Sequence, residues 1–261
     1  MREINDEIIG RIEELLYKCG DLLVNPDRGN LGRVDKAGHA NFVTKYDKMV
    51  QEKLKKGLNE ILPEAAFVGE EEEEHSSVAE GLAFIIDPID GTTNFVKNMK
   101  ASVISIGITR DGKAYAGVIY NPFEDEMYTG IIGKGAFCNG KPISVSDEPL
   151  SNGLVLFGAS PYYEELNELS FKYAYKYFKE ALDLRRSGTA AYDLCTIASG
   201  RGELFFELKL SPWDYAAGAA LVTAAGGVIT DIDGGELRFD RPCSVLATNK
   251  TVRESLNRHE I

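Results

Sequence analysis

Apolar residues in the first part of the chain repeat at helical spacing. Ile4, Ile8, Ile12, Leu15, Leu16, Cys19 and Leu23 are separated by charged residues, which predicts an amphipathic helix over residues 2–24. Residues 25–41 carry Gly29, Gly32 and Gly38 among charges and are expected to form a mobile loop. A second helix is predicted over residues 44–62, with Asp47 in its first turn and Pro63 just beyond its end. From Ala83 onward the period shortens. SVISIGITRDGKAYAGVIYNP and DEMYTGIIGKGAFCNGKPISV are short β-rich runs broken by Asp111-Gly112 and Asn139-Gly140. Those dipeptides suit type I′ hairpins, so an antiparallel meander is expected.

Around residue 150 the pattern changes again. LVLFGAS reads as a buried strand, residues 164–181 as a helix and TAAYDLCTIASG as another. ELFFEL follows as a strand, DYAAGAALVTAAGG as an alanine-rich helix ended by glycines, and GVITDIDG as a strand. No repeat or low-complexity linker interrupts the chain. The expected organisation is an αβ half with an antiparallel sheet (residues 1–150) and an α/β half (residues 151–261), packed as one compact unit.

Composition narrows the function classes. The 261 residues suffice for a sizeable core, and 44% apolar with 27% charged is ordinary for a globular chain. A balance of 29 basic against 41 acidic side chains, −12 in all, argues against general affinity for nucleic acid or an anionic membrane. An acidic protein that handles a negative substrate needs a cation as intermediary. No apolar run approaches the roughly 20 residues that span a bilayer, and the charged start MREINDEIIG has no signal-peptide core. Cys19, Cys138, Cys195 and Cys243 show no paired spacing, so reduced thiols and a cytoplasmic location are expected. His39, His75 and His259 form no cluster, so any metal ligands are oxygens.

Candidate chemistry gathers where carboxylates meet element ends. In IIDPIDGTTNF (residues 85–95) an apolar run stops at Asp87, and a proline and Asp90-Gly91 follow, so the strand is expected to end there in a turn. Glu70 to Glu74 follow a short apolar run and a glycine, Asp214 opens a helix beside Trp213, and Asp47 heads the second helix. Each has a plain structural explanation. Asp-Gly forms turns, a glutamate run makes a solvated face, and aspartate favours the first turn of a helix. Their joint occurrence asks for more. A buried anion costs several kcal/mol uncompensated, and two carboxylates folded together repel unless a cation lies between them. Magnesium takes such oxygen ligands, while Gly91-Thr92-Thr93 offers backbone N–H groups to an anion. Together these suggest a site for a phosphate ester on a metal.

Gly69-Glu70-Glu71, Asp87-Pro88-Ile89-Asp90-Gly91-Thr92-Thr93-Asn94-Phe95 and Trp213-Asp214-Tyr215-Ala216-Ala217-Gly218 resemble the three signature blocks of the inositol monophosphatase family, which are magnesium-dependent, lithium-sensitive phosphomonoesterases. NFVTKYD (41–47), GKGAFCNG (133–140) and GTAA (188–191) also fit in order, so the resemblance covers nearly the whole chain. It implies a layered αβαβα sandwich of the sugar-phosphatase type, commonly a homodimer. It implies that Glu70, Asp87, Asp90, Asp214 and the carbonyl of Ile89 hold two to three Mg2+ ions. Glu70 and Thr92 would position and help deprotonate the attacking water, with Asp47 hydrogen-bonded to the threonine hydroxyl. The Gly91 and Thr92 amides would cradle the phosphate, and Asp90, Ala190 and Glu207 would touch the sugar hydroxyls. The glutamate run leaves the register open, since Glu71 or Glu72 could stand for Glu70. Lys97-Asn98-Met99-Lys100 lacks the proline often seen after the signature, and Lys36, in the glycine-rich loop, is expected to be solvated, with an approach to the phosphate or the third ion as its alternative.

Relatives with the same metal core hydrolyse fructose 1,6-bisphosphate, 3′-phosphoadenosine 5′-phosphate or histidinol phosphate. The stretch from Arg185 to Asp214 resembles the inositol monophosphatase branch, and Glu207 suits a polyol whose vicinal hydroxyls donate to it. The expected substrate is therefore myo-inositol monophosphate. A noncatalytic regulatory binding protein is the rival, because some bacterial relatives also act with the transcription machinery. Direct binding of nucleic acid or membrane is not expected.

Overall fold

The computed structural model describes residues 3–36, 42–161 and 163–256; Gly38, His39, Asn41 and His259, named above, lie outside them. Helix α1 (Asp6–Val24) starts at Asn5, whose side chain accepts from the Ile8 amide, and it buries Ile8, Ile12, Leu16, Cys19 and Leu23. Within the predicted loop, β1 (Val34–Asp35) pairs with β2 (Phe42–Val43), short of full irregularity. Helix α2 (Lys45–Ile61) is capped by Thr44 and lies beside α1.

Strands β3 (Ala66–Gly69), β4 (Leu82–Asp90), β5 (Val103–Arg110), β6 (Lys113–Asn121), β7 (Glu126–Ile131), β8 (Gly135–Cys138) and β9 (Lys141–Ile143) follow one another across a seven-stranded sheet. Helix α3 (Thr92–Lys97) separates β4 from β5. Only β3–β4 is parallel; the rest is the expected meander. Asp111-Gly112 and Asn139-Gly140 hold positive φ angles of 51°, 74°, 49° and 71°, as a type I′ turn needs.

The second sheet is built from β10 (Leu154–Phe157), β11 (Asp183–Arg185), β12 (Leu204–Leu210), β13 (Val228–Thr230) and β14 (Cys243–Thr248), in the order β11-β10-β12-β14-β13. It is mixed, because β14 runs antiparallel to both neighbours. Sequence reading did not anticipate β11, β14 or the closing helix α7 (Lys250–Leu256). Helix α4 (Glu164–Phe178) stops a turn earlier than predicted. Along the chain, helix α5 (Ala190–Ala198) lies between β11 and β12, and α6 (Pro212–Ala224) between β12 and β13.

Burial alternation fixes the layering. Phe84, Ile86, Ile104, Ile106 and Val118 face α1 and α2, whereas Ala83, Ile85, Val103 and Ile119 face α5 and α6. On β12, Phe205 points to α5 and α6, while Leu204 and Phe206 point to α4 and α7. The layers are thus helix, sheet, helix, sheet, helix, the αβαβα sandwich.

The central helix α6 sits in a furrow of missing side chains. Gly107, Gly117 and Gly130 are paired neighbours on β5, β6 and β7. A Cβ at Gly107 would lie 2.5 Å from that of Ala216, one at Gly117 well under 3.0 Å from the Ala217 carbonyl oxygen, and one at Gly130 2.9 Å from the Leu221 Cα. Glycine inside a strand marks such close backbone approach. The alanines of α6 supply the other half of the fit, and α6 carries Asp214 in its first turn.

Candidate active site

Strand β4 is buried along its whole length and does not end at Asp87. It continues to Asp90, with a shift of register against β5: Asp87 stands opposite Ser105, but Asp90 opposite Val103. Pro88 cannot donate to the ladder, so the pairing is broken at a bulge, which re-aims the side chains around it. The Ile89 amide donates to Asp87 Oδ1 at 2.9 Å and closes the bulge. Asp87 and Asp90 are 3% and 7% exposed, so both carboxylates stand inside the protein rather than on a surface turn.

The other carboxylates arrive from element ends, and backbone amides fix them. Asp47 and Asp214 each occupy the third position of a helix and complete a capping box. Thr44 N donates to Asp47 Oδ2 at 2.7 Å, and Ser211 N to Asp214 Oδ2 at 2.7 Å. The structural explanation and the functional one therefore coexist, since capping engages one oxygen of each group. Asp90 Oδ2 accepts from the Ala191 amide at 2.6 Å, in the first turn of α5. Glu70 follows β3 directly, and its amide donates to the Ile86 carbonyl.

These carboxyls lie within reach of one another's charge. Burial raises Asp87 well above the carboxylate range, and Glu70, Asp90, Asp214 and Asp47 raise it further. Asp214 is raised well above that range by burial and then by Asp90 and Glu70. Burial pushes Glu70 to about 7, with Glu71 adding to it, Asp90 to about 7, and Asp47 to about 6. Lys36 is not solvated. It lies 2.7 Å from Glu71 and 3.8 Å from Glu70, half-buried between them. Glu71 is thus spent on Lys36, and its amide donates to Gln51 Oε1 at 2.9 Å; Glu72 pairs with Lys55. Of Glu70, Glu71 and Glu72, Glu70 is the one not taken up by a close cation, with Lys36 at 3.8 Å.

Among the described residues no three Asp, Glu, His or Cys side chains converge as a ready-made ion cage. Like charges held by separate amides do not close on a point unaided. The donor set nevertheless fits a hard dication. It is all oxygen, and Asp87 and Asp90 at its centre are buried.

Beside the carboxylates lies the turn at Gly91. Thr92 Oγ1 donates to the Ile89 carbonyl at 3.1 Å and approaches Asp47 Oδ1 at 3.4 Å, the predicted threonine–aspartate pairing. Gly91 has φ 84°, and a Cβ there would run into Thr189 Oγ1, so both conformation and space require glycine. Ala190 opens α5. Glu207 is 8% exposed on β12, where burial raises it to about 7 while Ser160 donates to Oε1 through its amide at 2.9 Å and its hydroxyl at 3.2 Å. Sequence reading missed Ser160, whose φ of 43° is unusual for a non-glycine, as well as the clamp by Lys36 and the buried Asn94. Only Asn94, inside the signature block, carried any signal.

The sequence profile of the inositol monophosphatase family matches residues 5–260. The chain is 38% identical over 237 residues to inositol monophosphatase 3 of Solanum lycopersicum, covering 85% of both proteins. It is 33% identical over 220 residues to Nus factor SuhB of Escherichia coli K12, covering 84% of this chain and 82% of that relative. The crystal structure of the extragenic suppressor protein SuhB from Bartonella henselae superposes with a TM-score of 0.88 at 34% identity, over 97% of this chain and 98% of that one. With the layered fold and the ordered carboxylate blocks, these matches show that the chain belongs to the inositol monophosphatase family.

Proposed function

We propose that the protein is a magnesium-dependent phosphomonoesterase whose preferred substrate is a myo-inositol monophosphate. The observation that supports this reading is that buried Asp87 and Asp90 and half-buried Glu70 and Asp214 lie within reach of one another's charge. The family is generally metal-dependent. Those four carboxylates and the Ile89 carbonyl would hold two to three Mg2+ ions. Bound there, the ions would supply an activated water near neutral pH and offset the charge of the phosphate and the leaving oxygen.

The chain's own residues do the rest. The amides of Gly91 and Thr92 orient the phosphate. Glu70 accepts the proton of the attacking water. Thr92 Oγ1 aligns that water, and Asp47 fixes the hydroxyl. Asp90, the Ala190 end of α5 and Glu207 take the ring hydroxyls. Glu207 is held by Ser160 so that an acceptor faces the ring. The exposed Phe171, Tyr175 and Phe178 on α4 support a homodimer.

A regulatory role is the second reading, favoured by the relatives named SuhB. Phosphate release from myo-inositol 1-phosphate, fructose 1,6-bisphosphate, 3′-phosphoadenosine 5′-phosphate and histidinol phosphate separates the readings. Release led by the inositol ester and suppressed by lithium supports the proposal. Another leading ester overturns the substrate, and no release from any ester favours the regulatory role.

A further inference from the structure

Helix α5 is capped in an exchanged manner. Thr189 stands at its N-cap, where a threonine hydroxyl normally accepts from the helix's own first-turn amides, yet it makes no such bond. Its Oγ1 instead donates to the Ala101 carbonyl at 2.6 Å, in the loop that follows α3. The α5 first-turn amide of Ala191 is served by Asp90, 101 residues away in sequence. A local capping rule is given up at this point, and such breaches are expected where function intervenes.

Asn94 completes the exchange. It is 5% exposed, and its Nδ2 donates to the Ala101 carbonyl, the Ser187 carbonyl and Thr189 Oγ1, each at 2.9 Å. Thr189 Oγ1 fills the place of a Cβ on Gly91, and the Ser102 hydroxyl donates to the Gly91 carbonyl at 2.8 Å. Ser187 Oγ closes the other loop, accepting from the Thr189 amide at 3.0 Å. Residues 90–102 and 187–191 are therefore tied twice, once through Asp90 and once through Asn94 and Thr189.

We infer that Asn94 and Thr189 are positioning residues that hold the ring-facing end of α5 at a fixed distance from the phosphate-facing turn at Gly91, and so set the preference for polyol phosphates over esters without a hydroxylated ring. The inference rests on the proposed phosphatase reading. An ester of a hydroxylated ring must satisfy both sides at once, and small misplacement between them is costly in rate. An ester that engages only the phosphate side does not use the tie.

The test compares Thr189→Val, which keeps the shape and removes the hydroxyl, with Thr189→Ser, which keeps the hydroxyl. The first readout is the ratio of kcat/KM for myo-inositol 1-phosphate to that for p-nitrophenyl phosphate with magnesium. It is expected to fall at least ~10-fold in Thr189→Val and to stay within about threefold of the parent in Thr189→Ser. The second is amide hydrogen exchange of residues 187–191 without metal, expected to quicken at least ~10-fold in Thr189→Val while α2 is unchanged. An unchanged ratio, an equal loss on both esters, or a serine variant as poor as valine overturns the inference. If Thr189→Val does not fold, Asn94→Ala carries the same expectations. A parent protein that hydrolyses neither ester refutes the phosphatase reading instead, and the exchange measurement still decides whether the tie exists.

Discussion

Gly117→Ala is the sharpest test of how the fold places the site. The new Cβ would lie well under 3.0 Å from the Ala217 carbonyl oxygen and 2.8 Å from its carbon, both backbone atoms of a central helix. Carbon contacts settle at about 3.5–4.0 Å, so α6 must retreat by roughly 1 Å. Overpacking of this kind costs about 1–3 kcal/mol, which lowers Tm by roughly 2–4 °C per kcal/mol in a protein of this size. The same retreat carries Asp214, which is anchored to α6 through Ser211. A 1 Å displacement at a catalytic constellation can cost ~10²-fold in rate. Differential scanning calorimetry and magnesium-dependent phosphate release on one sample measure both effects. The control is Gly10→Ala on α1, where nothing lies within 4 Å; it should raise stability by about 0.5–1 kcal/mol and leave activity unchanged. If Gly117→Ala is as stable and active as the parent, the furrow does not position α6 and the reasoning fails.

Three further outcomes are expected. Burial holds Glu70, Asp90 and Glu207 near 7, above the ordinary carboxylate range, so the folded protein keeps protons that the unfolded chain has released. The contribution of these groups to metal-free stability should accordingly be full only below their ordinary values of 3.8 and 4.5, where both states are protonated, and drain away toward pH 7, with Glu207 alone contributing on the order of 1–3 kcal/mol; a Tm that rises between pH 5 and 7 contradicts the raised values. Asp87→Asn removes one charge from the cluster, so the metal-free protein should melt several degrees higher, while the Tm gain on adding magnesium disappears and activity falls by more than ~100-fold; a parent-like magnesium response would exclude Asp87 as a ligand. Because α6 fills the furrow of the first sheet, a chain ending at residue 150 should lack cooperative unfolding by circular dichroism, whereas the full chain should unfold in one transition. A well-folded fragment would contradict the single-unit organisation.

Much of this was legible locally. Period gave α1, and Asp47 in the first turn with Pro63 past the end marked α2; the capping box of Thr44 and Asp47 came only with the structure. Asp-Gly and Asn-Gly gave the hairpins. The stretch of residues 85–95 gave the two aspartates but misplaced the end of the strand, since Pro88 reads as a terminator and a bulge tolerates it. What stayed hidden is long-range. The pairing of Lys36 with Glu71 and of Asn94 with Thr189 joins residues 35 and 95 positions apart, and no periodicity encodes such contacts. Strand β14 follows a glycine- and charge-rich stretch and was too short to stand out. The glycine furrow was visible only as unexplained glycines inside strands.

The most direct test of the central claim is phosphate release from myo-inositol 1-phosphate by protein stripped with EDTA and titrated with magnesium. No release before titration and saturable release after it, absent in Asp87→Asn, is the result predicted. Release that is indifferent to EDTA and magnesium would contradict a metal role for the buried carboxylates.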